Sequence, residues 1–163
     1  MPSSNHHEIM EVGMQIIERK ETPTLSIRYR TSVSELPNTM GAMYGEIAAY
    51  MGKSGIPFAG APFVIYYNMD MNDLDVEVGF PLAKATAGEG RVAAGRLPGG
   101  SFATAKHTGP YTTLEETYNA LTAFVKEKGV QMETFMFEEY LNSPEDTPPD
   151  KLVTAIYFPI KKG

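Results

Sequence analysis

The feature that most constrains the fold is a stretch of sequence that occurs twice. The segment 44–56 (YGEIAAYMGKSGI) matches the segment 118–130 (YNALTAFVKEKGV) at a constant separation of 74 residues, which is 118 minus 44. The matched residues are aromatic, apolar or glycine: Tyr44 and Tyr118, Ile47 and Leu121, Tyr50 and Phe124, Gly55 and Gly129. Downstream, FPLAK at 80–84 resembles FPIKK at 158–162. We infer that the chain contains two tandem copies of one structural unit.

Hydrophobic periodicity predicts the elements of each copy. Alternating apolar residues indicate strands, and apolar residues three and four apart indicate amphipathic helices. In the first copy we predict strands at 12–20, 24–31, 63–68 and 74–81 and a helix at 38–53. In the second copy we predict strands at 92–97, 101–106, 133–141 and 151–159 and a helix at 113–128. The buried face of this second helix should contain Leu114, Thr117, Tyr118, Leu121, Phe124 and Val125, and Thr113 with Glu116 should form a capping box.

These elements predict an α+β fold made of two β-α-β-β units, about residues 12–84 and 91–162. We expect antiparallel sheets related by a pseudo-two-fold axis, with the helices on one side and a concave seam on the other. Such seams are the default position for ligands, so we expect a central pocket. A single domain at 12–163 follows, preceded by a disordered segment at 1–11 whose His6–His7 pair lacks a third metal ligand.

Composition excludes several function classes. The formal net charge is −6 and the basic residues are scattered, which disfavours a direct nucleic-acid partner. No apolar run is long enough to span a bilayer, so we expect no membrane partner. The chain has no cysteine, which excludes disulfides and thiolate nucleophiles and fits a reducing cytoplasm. It also lacks a phosphate-binding glycine loop, a nucleophile elbow and a zinc motif, so we expect no cofactor and no metal.

The strand predicted at 133–141 contains the main candidate for a functional residue. Met136, Glu138 and Tyr140 share one face, and the opposite face is also rich in apolar residues, as in a strand that is covered on both sides. A carboxylate in such a layer must be paired, remain protonated or await a cation. Glu138 is therefore a candidate site residue, with an edge-strand glutamate facing water as the alternative. A register shift of one residue would put Glu139 in its place.

Tyrosines supply flat faces for stacking and hydroxyls for holding a carboxylate. We expect several of them to line the same cleft as Glu138: Tyr111, Tyr140 and Tyr157, with Tyr66 and Tyr67 from the first half. The predicted ligand-binding set is completed by Tyr44, Met136 and Glu77.

Two other polar features have simpler interpretations. His107 could act as a general base, but no nucleophile lies beside it in sequence, so we predict a surface histidine. Asp70, Asp73 and Asp75 lack the glycine-centred spacing of a calcium loop, and we predict a solvated turn. Glu77 is the exception, because it lies within a strand.

In order along the chain, four motifs resemble the GyrI-like small-molecule-binding family, the bacterial effector-binding domain. They are DVEVGFP at 75–81, GPY at 109–111, FEEYL at 137–141 and IYFPI at 156–160. The resemblance covers nearly the whole chain. It extends to the drug-binding half of multidrug regulators such as BmrR and of AraC-type regulators.

The resemblance implies a pocket in which an acidic residue, here Glu138, meets lipophilic aromatic cations. Family regulators carry a DNA-binding domain ahead of this pocket, and the chain is too short for one. We therefore expect a stand-alone protein that sequesters or senses such compounds, rather than an enzyme. One alternative is a hydrolase of cyclopropane-containing alkylating compounds, with Glu138 and Tyr111 as catalytic residues. Another is a protein-interaction module that modulates a partner such as gyrase.

Overall fold

The structure is a computed structural model that describes residues 13–161. The predicted disorder of 1–11, the His6–His7 pair and the last two residues lie outside the described residues. The chain divides into two compact units. Among the described residues, unit 1 contains 13–19 and 100–161, and unit 2 is Lys20–Gly99. The first described strand therefore belongs to unit 1, although the sequence placed it in the first repeat.

Unit 2 is a four-stranded antiparallel sheet with one helix. Its elements in chain order are β2 (Thr22–Thr31), α1 (Leu36–Ser54), β3 (Phe63–Tyr66), β4 (Leu74–Pro81) and β5 (Ala93–Leu97). The strand order is β3-β4-β2-β5. Its core is formed by apolar side chains that are almost fully buried: Leu25, Ile27, Ile47, Met51, Phe63, Val64, Val76 and Val78.

Unit 1 has the same number of strands and one helix. Its elements are β1 (Gln15–Arg19), β6 (Gly100–Thr108), α2 (Leu114–Lys128), β7 (Met136–Tyr140) and β8 (Val153–Pro159). Short 3-10 turns at Tyr111–Thr113 and Pro149–Lys151 precede α2 and β8. The strand order is β1-β6-β8-β7, and all pairs are antiparallel.

Each unit thus runs strand, helix, strand, strand along the chain, with a fourth strand at the edge of its sheet. The predicted α+β class with antiparallel pairing is confirmed. The tandem duplication and its axis remain predictions. Neither helix described within residues 13–161 combines the length and the apolar character that a bilayer crossing requires.

Both helices end at the glycines that the repeat matched. Gly55 and Gly129 have φ of 69° and 70°, the left-handed conformation that glycine adopts without strain. The start of α2 differs from the prediction. Thr113 is its N-cap residue, but the Thr113 hydroxyl donates to the Pro110 carbonyl at 2.9 Å and makes no capping bond. The predicted capping box is therefore wrong, because a turn outside the helix uses the hydroxyl.

Gly79 in β4 gives a test of the packing in unit 2. A Cβ added there would lie 2.8 Å from Ser26 Cβ and 2.9 Å from the Phe63 ring, and closer still to the Leu25 carbonyl. Overpacking of this kind costs about 1–3 kcal/mol, so Gly79→Ala should lower the free energy of unfolding by that amount in urea denaturation.

The matched control is Gly45→Ala on the exposed face of α1, where an added Cβ meets nothing within 4 Å. Helix propensity should make that variant more stable, by up to about 1 kcal/mol. Equal effects of the two substitutions would contradict the packing described for β4.

Candidate functional site

Glu138 is a buried carboxylate in the middle of β7, with 4% of its surface exposed. Both of its oxygens accept hydrogen bonds from tyrosine hydroxyls. Tyr118 of α2 donates to Oε2, and Tyr140 of β7 donates to Oε1 at 2.8 Å. The prediction that Glu138 lies buried among aromatic residues is confirmed, and the alternative of a glutamate facing water is wrong.

The sequence of β7 explains this placement. Side chains alternate along a strand, so Glu138 shares a face with Met136 and Tyr140, and the contact with Tyr118 shows that this is the face covered by α2. Tyr118 reaches the sheet because it lies on the same side of α2 as Leu121 and Val125, which are buried. We call this layer between α2 and the sheet the helix-side layer of unit 1.

Burial raises the pKa of Glu138 above its ordinary value, and the hydrogen bonds from Tyr118 and Tyr140 lower it to a smaller extent. No basic side chain among the described residues contributes to this shift. Within residues 13–161, the carboxylate is thus held by neutral hydroxyl donors. A cation brought to it would favour its charged form.

Tyr111 leads from the surface toward this acid. Its side chain lies in the 3-10 turn before α2 and is 39% exposed. Its ring packs edge to face against the half-buried ring of Tyr140, with the centroids 5.8 Å apart. Burial raises the pKa of Tyr111, and the charge of Glu138 raises it further. An exposed ring, a half-buried ring and a buried carboxylate therefore follow one another within unit 1.

His107 is buried in the same layer, with 6% exposure, so the predicted surface histidine is wrong. Its Nε2 lies 3.2 Å from the Pro110 carbonyl and 3.0 Å from the Thr113 hydroxyl, and its Nδ1 lies 2.6 Å from the Thr117 hydroxyl. Because a carbonyl can only accept, Nε2 donates to the Pro110 carbonyl, and Nδ1 is hydrogen-bonded to the Thr117 hydroxyl. Both nitrogens are used, and His107 fastens the turn at Pro110 to α2 instead of acting as a free base.

Tyr157 was predicted to line the same cleft as Glu138, but it lies on the opposite face of the sheet. Tyr157 of β8 is the cross-strand partner of Phe137, and the two rings stack, so Tyr157 lies on the face away from α2. It does not line the helix-side layer with Glu138. Glu139 points to this second face as well, where it pairs with Arg19. The alternation within one strand separates its residues into two faces, but it does not show which residues of the neighbouring strand lie on the same face of the sheet.

The predicted ligand residues of the first half lie in unit 2. Glu77 accepts hydrogen bonds from Tyr67 at 2.6 Å and from Ser26 at 2.5 Å. The Arg28 guanidinium lies 3.8 Å from the centre of the Tyr67 ring. Burial raises the pKa of Tyr67, and the hydrogen bond to Glu77 raises it further. The cluster around Glu77 is therefore half-buried and contains a cation of the chain itself.

Tyr44 and Tyr66 have other positions in unit 2. The Tyr44 hydroxyl donates to the Phe63 carbonyl, and Tyr66 ends β3 opposite Val76. The acidic turn is held by arginines, through ion pairs of Arg30 with Asp73 and of Arg28 with Asp75. Across residues 13–161, no cluster of acidic and histidine side chains could hold a metal ion.

Two residues of the helix-side layer were missed as site residues. Tyr118 was predicted only as part of the buried face of α2. A buried tyrosine hydroxyl needs a partner, and that requirement is the one signal in the sequence that could have linked Tyr118 to Glu138. Thr154 of β8 is fully buried, and its hydroxyl has no hydrogen-bond partner among the described atoms. It is the cross-strand neighbour of both His107 and Tyr140. Nothing in its sequence context indicates this arrangement.

The raised pKa of Glu138 gives a prediction for stability. Between the unfolded value near 4.5 and the higher folded value, the folded state holds more protons, so the free energy of unfolding falls as pH rises. Glu138→Gln removes the titration, and its stability relative to wild type should increase over this range. Urea denaturation between about pH 4 and pH 8 measures the difference. The exposed Glu115→Gln variant should follow wild type, and a Glu138→Gln variant that does the same would contradict the assignment.

Comparisons with known proteins agree with this architecture. EcmrR is similar in fold: its C-terminal domain has a TM-score of 0.81 at 21% identity, over 92% of this chain and 98% of that domain. The EcmrR chain in its DNA complex gives the same TM-score at 20% identity over 99% of this chain, which spans 63% of that protein.

A hydrolase from Listeria innocua has a TM-score of 0.68 at 16% identity, over 91% of each chain. SAV2435, solved with bound tetraphenylphosphonium, has a TM-score of 0.63 at 10% identity, over 91% of this chain and 93% of that one. No curated protein sequence matches the chain.

The sequence pattern of the GyrI-like small molecule binding domain matches residues 13–161, nearly the full length. This match covers both units and includes every candidate residue described above. The chain therefore belongs to the GyrI-like small-molecule binding domain family.

Proposed function

We propose that the protein binds lipophilic aromatic cations in the helix-side layer of unit 1, with Glu138 as the charge partner. The observation that carries this proposal is a carboxylate with 4% exposure that receives two tyrosine hydroxyls and no basic side chain from the described chain. Binding of such compounds is the basis for sequestering or sensing them.

The energetics favour a cation over a neutral guest. Removing an ionised carboxylate from water costs several kcal/mol, and hydroxyl donors compensate only part of that cost. A cation beside Glu138 supplies the missing counter-charge, and the surrounding rings add about 0.5–2 kcal/mol for each cation–π contact. An equally apolar neutral molecule gains burial alone. Charge should therefore separate good ligands from poor ones.

The position of the aromatic rings suggests how a ligand approaches. Tyr111 offers an exposed ring at the surface, and Tyr140 connects it to Glu138. Tyr118 covers the acid from α2, so a ligand that reaches Glu138 takes the place of that hydroxyl. Binding thus exchanges a neutral hydrogen bond for a charge pair.

The fold comparisons support this class of ligand. SAV2435, which shares the fold, was solved with tetraphenylphosphonium, a cation composed of four aromatic rings. EcmrR shares the fold through its C-terminal domain, and that protein was solved in complex with DNA. The same fold is thus found as a domain of a larger DNA-bound protein, so a cation-binding domain of this fold could act alone or as part of a regulator.

A second candidate is hydrolysis, favoured by the two hydroxyl donors on Glu138 and by the fold shared with a Listeria innocua hydrolase. A carboxylate beside a tyrosine donor could orient or deprotonate water for attack on a strained cyclopropane ring. In that case Glu138 would be the base and Tyr111 an aromatic partner. Turnover separates the two candidates, because a binding protein is stabilised by its ligand without consuming it.

Glu138→Gln should weaken the binding of tetraphenylphosphonium about tenfold or more, because the ligand loses its charge partner in a desolvated layer. The affinity for neutral triphenylphosphine oxide should change little. Isothermal titration of both compounds against wild type, Glu138→Gln and the exposed control Glu115→Gln measures the contrast. An equal loss for both compounds would show that the substitution disturbs packing and not charge recognition.

Tyr111→Ala and Tyr140→Ala should each weaken the binding of rhodamine 6G about 2- to 30-fold, because a stacking contact is lost. Tyr140→Phe keeps the ring and should retain most of the affinity. Fluorescence titration gives the dissociation constants. If both alanine variants bind as wild type does, the two rings do not belong to the ligand site.

For the hydrolase alternative, incubation with a cyclopropane-containing alkylating compound should consume the compound with wild type and leave it intact with Glu138→Gln. Liquid chromatography follows the ring-opened product. Consumption by Glu138→Gln at the wild-type rate would exclude Glu138 as the base.

A further inference from the structure

The face of unit 1 away from α2 contains a second acidic and aromatic surface. Phe137 and Tyr157 stack with centroids 4.7 Å apart and planes at 17°. Phe102 packs edge-on against both rings, at 5.5 Å and 6.1 Å. Glu139, two residues beyond Phe137 in β7, projects on the same side as Phe137. Two fixed rings and a carboxylate are the components that protein sites use to hold an organic cation.

A cation of the chain already lies there. The Arg19 guanidinium is 4.7 Å from the Tyr157 ring centre and 5.4 Å from that of Phe137. Its Nη2 lies 3.1 Å from Glu139 Oε2. We call the surface formed by Phe137, Tyr157 and Glu139 the guanidinium site.

We propose that the guanidinium site binds small planar organic cations, and that Arg19 is a tethered occupant with which a free cation competes. Guanidinium compounds fit it best, because a flat delocalised cation stacks on rings while its N–H groups reach a carboxylate. The proposal does not depend on Glu138, which points to the other face of β7.

The site does not need Arg19 to keep its shape. Both rings and Glu139 belong to the paired strands β7 and β8, whose register sets their positions. Phe137 is fully buried, and Phe102 supports both rings. Removal of the arginine side chain would therefore leave an acidic aromatic surface in place.

The Arg19 side chain lies where it can move into water. It is the last residue of β1, where it pairs only with Gly100 in the described register. Its side chain is 21% exposed and that of Glu139 is 12% exposed, so water reaches the ion pair. A free planar cation that stacks on the two rings and pairs with Glu139 makes the same contacts as Arg19, so the two compete for the site.

The test uses methylguanidinium and the whole chain of 163 residues. Arg19→Ala should bind methylguanidinium at least tenfold more tightly than wild type, with chemical-shift changes at the Phe137 and Tyr157 rings in NMR titrations. Arg19→Lys keeps a tethered cation and should bind as weakly as wild type. Arg19→Ala combined with Glu139→Gln should lose the binding.

Thermal melts provide a second readout if Arg19→Ala is unstable. Methylguanidinium should raise its melting temperature, and should not do so when Glu139→Gln is also present. Failure to bind Arg19→Ala, or equal binding with and without Glu139, would overturn the proposal. Equal binding by wild type and Arg19→Ala would exclude Arg19 as the occupant.

The two proposals fail separately. Glu138→Gln should leave methylguanidinium binding to Arg19→Ala unchanged, since Glu138 lies on the other face of β7. Loss of that binding in the Glu138→Gln background would show that the guanidinium site is not an independent site, and would overturn the proposal as stated.

Discussion

The organisation of unit 1 depends on β7 being covered on both of its faces. Because side chains alternate along a strand, the consecutive acids Glu138 and Glu139 enter different environments. Glu138 meets hydroxyl groups under α2, and Glu139 meets the guanidinium of Arg19. In the described part of the chain, one strand thus holds a carboxylate paired with hydroxyls and a carboxylate paired with a cation. Their electrostatic environments differ because the two acids are consecutive in the strand and therefore lie on opposite faces.

The sequence predicted the elements well, for identifiable physical reasons. Apolar periodicity located both helices to within two residues at each end, and Gly55 and Gly129 end them because glycine tolerates positive φ. The strand pattern also placed Glu138 in a buried layer. These features depend on neighbours along the chain, which a sequence displays directly.

The predictions that were wrong depend on partners distant in sequence. Tyr157 lies on the face away from Glu138 because β8 pairs with β7 in a register that puts Phe137 opposite it. His107 is buried because Thr117, one α2 turn beyond Thr113, supplies a hydroxyl to its ring. Alternation within one strand indicates which residues share a face. It does not indicate which face a second strand or a helix will cover.

The matched tyrosines of the two helices show how similar sequences acquire different chemistry. Tyr118 donates to the Glu138 carboxylate, whereas Tyr44 donates to the backbone carbonyl of Phe63. The position 74 residues before Glu138 (138 minus 74) is Val64, which is fully buried. Unit 2 therefore has an apolar residue at that position, and the acid of unit 2 that accepts from hydroxyls is Glu77 in β4.

The hydroxyl of Thr154, which has no hydrogen-bond partner within residues 13–161, has a consequence for selectivity in the helix-side layer. A buried hydroxyl without a partner costs about 1–3 kcal/mol, and this one is a cross-strand neighbour of Tyr140. Under the proposed function, a guest bearing an ether, carbonyl or amine near Thr154 would recover that cost, whereas a guest made only of hydrocarbon around its charge would not. The affinities of molecules with equal charge and equal hydrophobicity would then depend on where each molecule carries a single heteroatom.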